Sequence, residues 1–73
     1  MTRWEYAEAF WSPAQVTISF FSPAGAQEHK FPSAQWASMC GRLGAEGWEM
    51  VAAMPSPTPI QEYFYYFKRP LPG

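Results

Sequence analysis

The side chains able to carry covalent or proton-transfer chemistry are few. The chain has one cysteine, Cys40, one histidine, His29, six glutamates and no aspartate. A Cys–His nucleophile needs the thiol and imidazole to meet. Cys40, however, falls on the apolar stripe of the only helical pattern, where a free thiol behaves as a small hydrophobe. One His and one Cys do not fill a four-coordinate zinc site. Glu46 and Glu49 flank Trp48 and have the residue types of an acid/base pair; between glycines they also suit solvated or backbone-capping carboxylates. Gly41, Gly44 and Gly47 recur every three residues. A phosphate cradle precedes a helix N-terminus, whereas these glycines lie late in the helical pattern or after it. The expectation is a non-enzymatic protein with no metal and no cofactor.

The elements that must position these residues read in the order β-β-β-α-β-β. Trp4, Tyr6, Glu8 and Phe10 alternate with Glu5, Ala7, Ala9 and Trp11, a strand pattern with room for a bulge near Glu8 and Ala9. Gln15 to Phe21 alternates cleanly, and Ser22-Pro23-Ala24-Gly25 is turn chemistry. Gln27 to Phe31 is a third, short strand. Ser33 is the expected N-cap of a helix whose Trp36, Met39, Cys40 and Leu43 share one face. Gly44 suits the left-handed C′ position, and Gly47 marks a second tight spot. Trp48 to Met54 and Ile60 to Arg69 are two more strands, joined by the proline-rich 55–59 segment. The fold class predicted is one α+β domain over residues 1–73, a four- to five-stranded antiparallel sheet with one helix on one face.

Composition excludes several function classes. Fourteen of 73 residues are aromatic and eleven are charged, 15% against about 25% in an average domain. That balance is opposite to a disordered chain's. A net charge of −1 lacks the basic surface that phosphate contacts demand, so nucleic acid is an unexpected partner. No run reaches the ~18 apolar residues of a membrane span. A lone cysteine and no signal-like leader point to a reducing, cytoplasmic setting.

Three segments carry a resemblance: Trp4-Glu5-Tyr6, Leu43-Gly44-Ala45-Glu46-Gly47-Trp48-Glu49-Met50-Val51, and Tyr65-Tyr66-Phe67-Lys68-Arg69-Pro70-Leu71. Together they resemble the small bacterial family known as domain of unknown function 4177. The resemblance implies a compact α+β domain with one helix on an antiparallel sheet and no established activity. The chain departs from the family pattern at Ala7-Glu8-Ala9 and in the added stretch from Pro13 to Phe31.

The last strand exceeds structural need, with five aromatics in succession from Tyr63 to Phe67. If Trp48 and Met50 face the helix with Ala52 and Met54, then Val51 and Ala53 join Phe64 and Tyr66 on the open side, and Tyr63, Tyr65 and Phe67 pack beneath the helix with Val16, Ile18 and Phe20. That side, with Phe21 and Trp11, forms an apolar surface of the kind that marks interfaces. The predicted function is protein association, as a small homo-oligomer or an accessory subunit of a larger assembly. Its predicted contact residues are Trp11, Phe21, Val51, Phe64 and Tyr66; Ser33, Gly44, Gly47 and Trp48 have structural roles. The alternative is a small-ligand or single-stranded nucleic-acid module stacking its ligand on the same aromatic side.

Overall fold

Two turn sequences and a five-aromatic strand dictate most of the architecture. In the computed structural model, which describes residues 1–57 and 60–71, strands β1 (Trp4–Trp11), β2 (Gln15–Ser22) and β3 (Gly25–Pro32) form an antiparallel meander. A 3₁₀ turn (Ser33–Gln35) leads into helix α1 (Trp36–Ala45), and β4 (Glu49–Pro55) and β5 (Tyr63–Pro70) follow. The five strands form one antiparallel sheet in the order β3-β2-β1-β5-β4. The first and last strands are therefore neighbours at its centre, in continuous register from Trp4↔Pro70 to Trp11↔Tyr63. Thr58 and Pro59 of the proline-rich connector, and Pro72 beyond β5, lie outside the described residues.

The core sits between α1 and one sheet face. It comprises Ala7, Ala9, Val16, Ile18, Leu43, Trp48 and Phe67. Ala7 and Ala9 are almost fully buried: side chains this small on the central strand let the helix approach closely. β1 needs no bulge, because its alternation continues unbroken through Glu8 and Ala9 in both ladders. Around this centre Trp36 packs at a tilt on Tyr65 (4.9 Å) and meets Phe67 edge-on (6.5 Å), and Phe20 contacts Trp48 (5.6 Å). Tyr65 and Phe67 thus pack beneath the helix with Val16, Ile18 and Phe20, as their alternation predicts, whereas Tyr63, expected there too, is 37% exposed beside Trp11.

Three structural expectations need correction. Ser33 is not the helix N-cap. A 3₁₀ turn precedes α1, Gln35 occupies the N-cap without a side-chain bond, and the Ser33 hydroxyl donates instead to the Pro13 carbonyl. Gly44 lies inside α1 rather than at C′. Gly47 takes the left-handed position, with φ +90°. Its N–H donates to the Gly44 carbonyl (3.0 Å) and that of Trp48 to Leu43 (2.9 Å), the paired bonds of a Schellman motif. Leu43 and Trp48, the residues such a motif brings together, both belong to the core. Finally, β4 carries a bulge between Met50 and Ala52. The extra residue, Val51, shifts the alternation, so Ala52 lies opposite Tyr66, Ala53 opposite Tyr65 and Met54 opposite Phe64.

Candidate functional site

The helix-free face follows directly from register, since residues opposite each other in antiparallel strands share a face. One row across the sheet is Ala26–Phe21–Tyr6–Lys68–Glu49, the next Glu28–Ser19–Glu8–Tyr66–Ala52, and the third Lys30–Thr17–Phe10–Phe64–Met54. Trp4 lies at the end of β1 on the same side. Six aromatics thus gather here without a covering helix. Tyr6 is 53% exposed and Phe21 45%. Phe10 and Phe64 pack as a tilted pair 5.0 Å apart, and the Lys68 ammonium lies over the Trp4 ring at 4.2 Å.

Glu8 occupies the middle of this face. Its backbone position is fixed by β1, and the Tyr66 hydroxyl across the strand pair donates to its carboxylate. Partial desolvation, then this hydrogen bond and the nearby negative charge, hold the Tyr66 hydroxyl above its ordinary value of 10.0. A carboxylate lying between the Phe21–Tyr6 and Phe10–Phe64 rows is thus accommodated by a phenol that stays protonated. Beside it, a depression of about 260 Å³ is bounded by Trp4, Tyr6, Phe21, Pro23 and Leu71.

Of the five predicted contact residues, Phe21, Phe64 and Tyr66 are on this face. Val51 is the bulge residue of β4 and is exposed. Trp11 is elsewhere: it pairs with Val16 and Tyr63, meets the Tyr63 ring at a tilt with centroids 5.7 Å apart and packs against the core. The places expected for Val51 and Ala53 beside Tyr66 and Phe64 are held by Ala52 and Met54. Sequence reasoning missed Trp4, Tyr6 and Phe10, although their period-two spacing carried the signal. Only the central position of β1 shows that Ala7 and Ala9 are the buried set.

On the helix side a cleft of about 550 Å³ opens between the end of α1 and the β2–β3 hairpin, lined among others by Phe20, His29, Glu46, Trp48, Glu5 and Arg69. Arg69 organises its wall. Its Nε donates to the Glu5 carboxylate, its Nη1 to the Glu46 carbonyl at 2.9 Å, and its guanidinium lies over the Trp48 ring at 4.5 Å. One side chain therefore ties the first strand, the last strand and the helix terminus together.

The candidate catalytic residues do not converge. Glu46 borders the helix-side cleft, whereas Glu49 is on the opposite face across from Lys68. His29 meets Phe20 edge-on at 5.7 Å. Cys40 is half-buried, and burial pushes its thiol pKa up, the opposite of nucleophile activation. Among the described residues there is no group of three or more His, Cys or Glu placed to hold a metal ion, and no helix is long and apolar enough to cross a membrane. No family model, curated protein or solved structure matches the chain.

Proposed function

We propose that this chain is an association module that buries its helix-free sheet face against another protein surface, most simply a second copy of itself. The observation that carries the reading is the row structure of that face, where Trp4, Tyr6, Phe10, Phe21, Phe64 and Tyr66 gather with Met54 on the side away from α1. Five strands about 4.8 Å apart and seven residues long span roughly 500–600 Å² in projection. That approaches the ~800 Å² each partner contributes to a standard interface. The depression beside Phe21 is smaller than the ~300 Å³ lower bound of ligand pockets, and so fits an anchoring side chain better than a free ligand. Nothing in the reading requires an activity.

Light scattering at micromolar concentration tests it. The wild-type chain is expected above its 8.3 kDa monomer mass. Tyr6→Glu places a charge on the exposed face without touching the core, so the mass is expected to fall while far-UV circular dichroism stays unchanged. A mass indifferent to Tyr6→Glu would show that this face is not an interface.

A second reading rests on the helix-side cleft, whose 550 Å³ lies within the ligand range. Phe20 and Trp48 offer it aromatic surface, and a planar ligand such as a mononucleotide would stack there rather than on the helix-free face. Mononucleotide titration followed by Trp fluorescence is expected to saturate in the wild type and weaken in Phe20→Leu. A flat wild-type titration would count against the reading.

A further inference from the structure

The outer edge of β3 carries a pattern that neither sheet face explains. β3 ends the sheet, and residues 25–30 are exposed on both of its sides. The Ser12 N–H donates to the Gln15 carbonyl at 3.0 Å. In an antiparallel ladder this sets the phase: Gln15, Thr17, Ser19 and Phe21 turn their backbone groups to β1, and the residues between them turn to β3. Carried through the register Ser22↔Gly25 to Gln15↔Pro32, the phase directs Gly25, Gln27, His29 and Phe31 toward β2. The Ser33 N–H reaching the Ala14 carbonyl continues it. Ala26, Glu28 and Lys30 therefore present N–H and C=O outward, and Pro32 presents its carbonyl alone.

We propose that this edge pairs antiparallel with β3 of a second copy, about a two-fold axis passing through His29. An axis between residues would set outward groups against inward ones and form no ladder. An axis through Glu28 would oppose two carboxylates, and one through Lys30 two ammonium groups, both destabilising arrangements. The axis through His29 instead places Glu28 opposite Lys30 of the second copy, twice by symmetry, and Ala26 opposite Pro32. About six backbone hydrogen bonds close the joint, and two five-stranded sheets become one with both helices on the same side. Charges on an edge strand ordinarily repel an incoming strand. Here opposite charges at i and i+2 become complementary once the strand is turned on itself. The other edge is unsuited: the Val51 bulge breaks its ladder and Pro55 lacks a donor. This joint is distinct from the helix-free face and does not depend on it.

Two measurements test the pairing. In a Cys40→Ser background, His29→Cys puts two thiols across the axis at a non-hydrogen-bonded position, where Cα atoms about 4.5 Å apart permit a disulfide. Mild oxidation is expected to yield a covalent dimer of twice 8.3 kDa, also when Tyr6→Glu is present. Glu28→Lys and Lys30→Glu each turn two attractive pairs into two repulsive ones and are expected to weaken non-covalent dimerisation about tenfold. The double exchange Glu28→Lys/Lys30→Glu is expected to restore it. Absence of the disulfide dimer, its loss on adding Tyr6→Glu, or a double exchange no better than the single ones would each overturn the proposal.

Discussion

Two side chains show how polar groups are fitted among so many rings. Arg69 is only partly exposed, and its fork is divided between a carboxylate, a carbonyl and an indole face, a set of partners the compact lysine ammonium does not reproduce. Tyr66 holds its proton for Glu8, and this has a definite sign. A raised acid pKa in the fold means that the stabilisation is fully present below the ordinary value of 10.0 and is lost as pH climbs through the folded value. Tyrosinate absorbance, read as the difference between the wild type and Tyr66→Phe, is expected to show Tyr66 ionising above the ordinary range. Glu8→Gln removes the negative charge and is expected to bring that ionisation down. An unchanged titration in Glu8→Gln would show that the carboxylate does not act on Tyr66.

The helix terminus is the element most tightly specified. The left-handed conformation at Gly47 has open space around it, so a Cβ there would meet no neighbour and its cost is conformational. Gly47→Ala is therefore expected to lose about 1–2 kcal/mol of stability, seen as a lower urea midpoint with an unchanged slope. Gly44→Ala, inside the helix with equal space, is expected to be neutral or stabilising. The same terminus marks what the sequence made legible. Strand alternation placed Val16, Ile18 and Phe67 under the helix correctly, and helical spacing placed Leu43 there. Both patterns are local, with periods of two and 3.6 residues. Choosing between Gly44 and Gly47 required knowing where the helix stops, and two glycines three apart satisfy the same local rule. The β4 bulge left no mark, because Val51, Ala52 and Ala53 are all small and apolar and the pattern reads the same with or without a slip. Trp11 was misplaced because the face of β1 is decided by its two neighbours, which are non-local. The β3 edge was invisible, since its meaning depends on hydrogen-bond phase rather than residue type.

At the scale of the molecule, seven buried residues among those described are a small core for a body 41 Å long and 24 by 21 Å across. Chains of this size commonly gain stability by assembly. If association buries the helix-free face, folding and association are linked, and the melting temperature is expected to rise with protein concentration. Tyr6→Glu is expected to lessen that dependence in calorimetric scans over a hundredfold concentration range, leaving only the part due to the β3 joint. A melting temperature independent of concentration in the wild type would separate folding from assembly.

The placement of β1 beside β5 reaches further, into how the chain acquires its structure. The central pair of the sheet joins residues 52 to 66 positions apart, from Trp11 with Tyr63 to Trp4 with Pro70, so closing it carries a high entropic cost. Until Tyr63–Pro70 is available, the meander of β1 to β3 has an unpaired strand edge at β1 and lacks Phe67 and Tyr65 from the layer beneath the helix. β4 has nothing to pair with, because β5 is its sole neighbour in the sheet. The last strand thus closes both halves of the sheet at once, joining the meander on one side and β4 on the other.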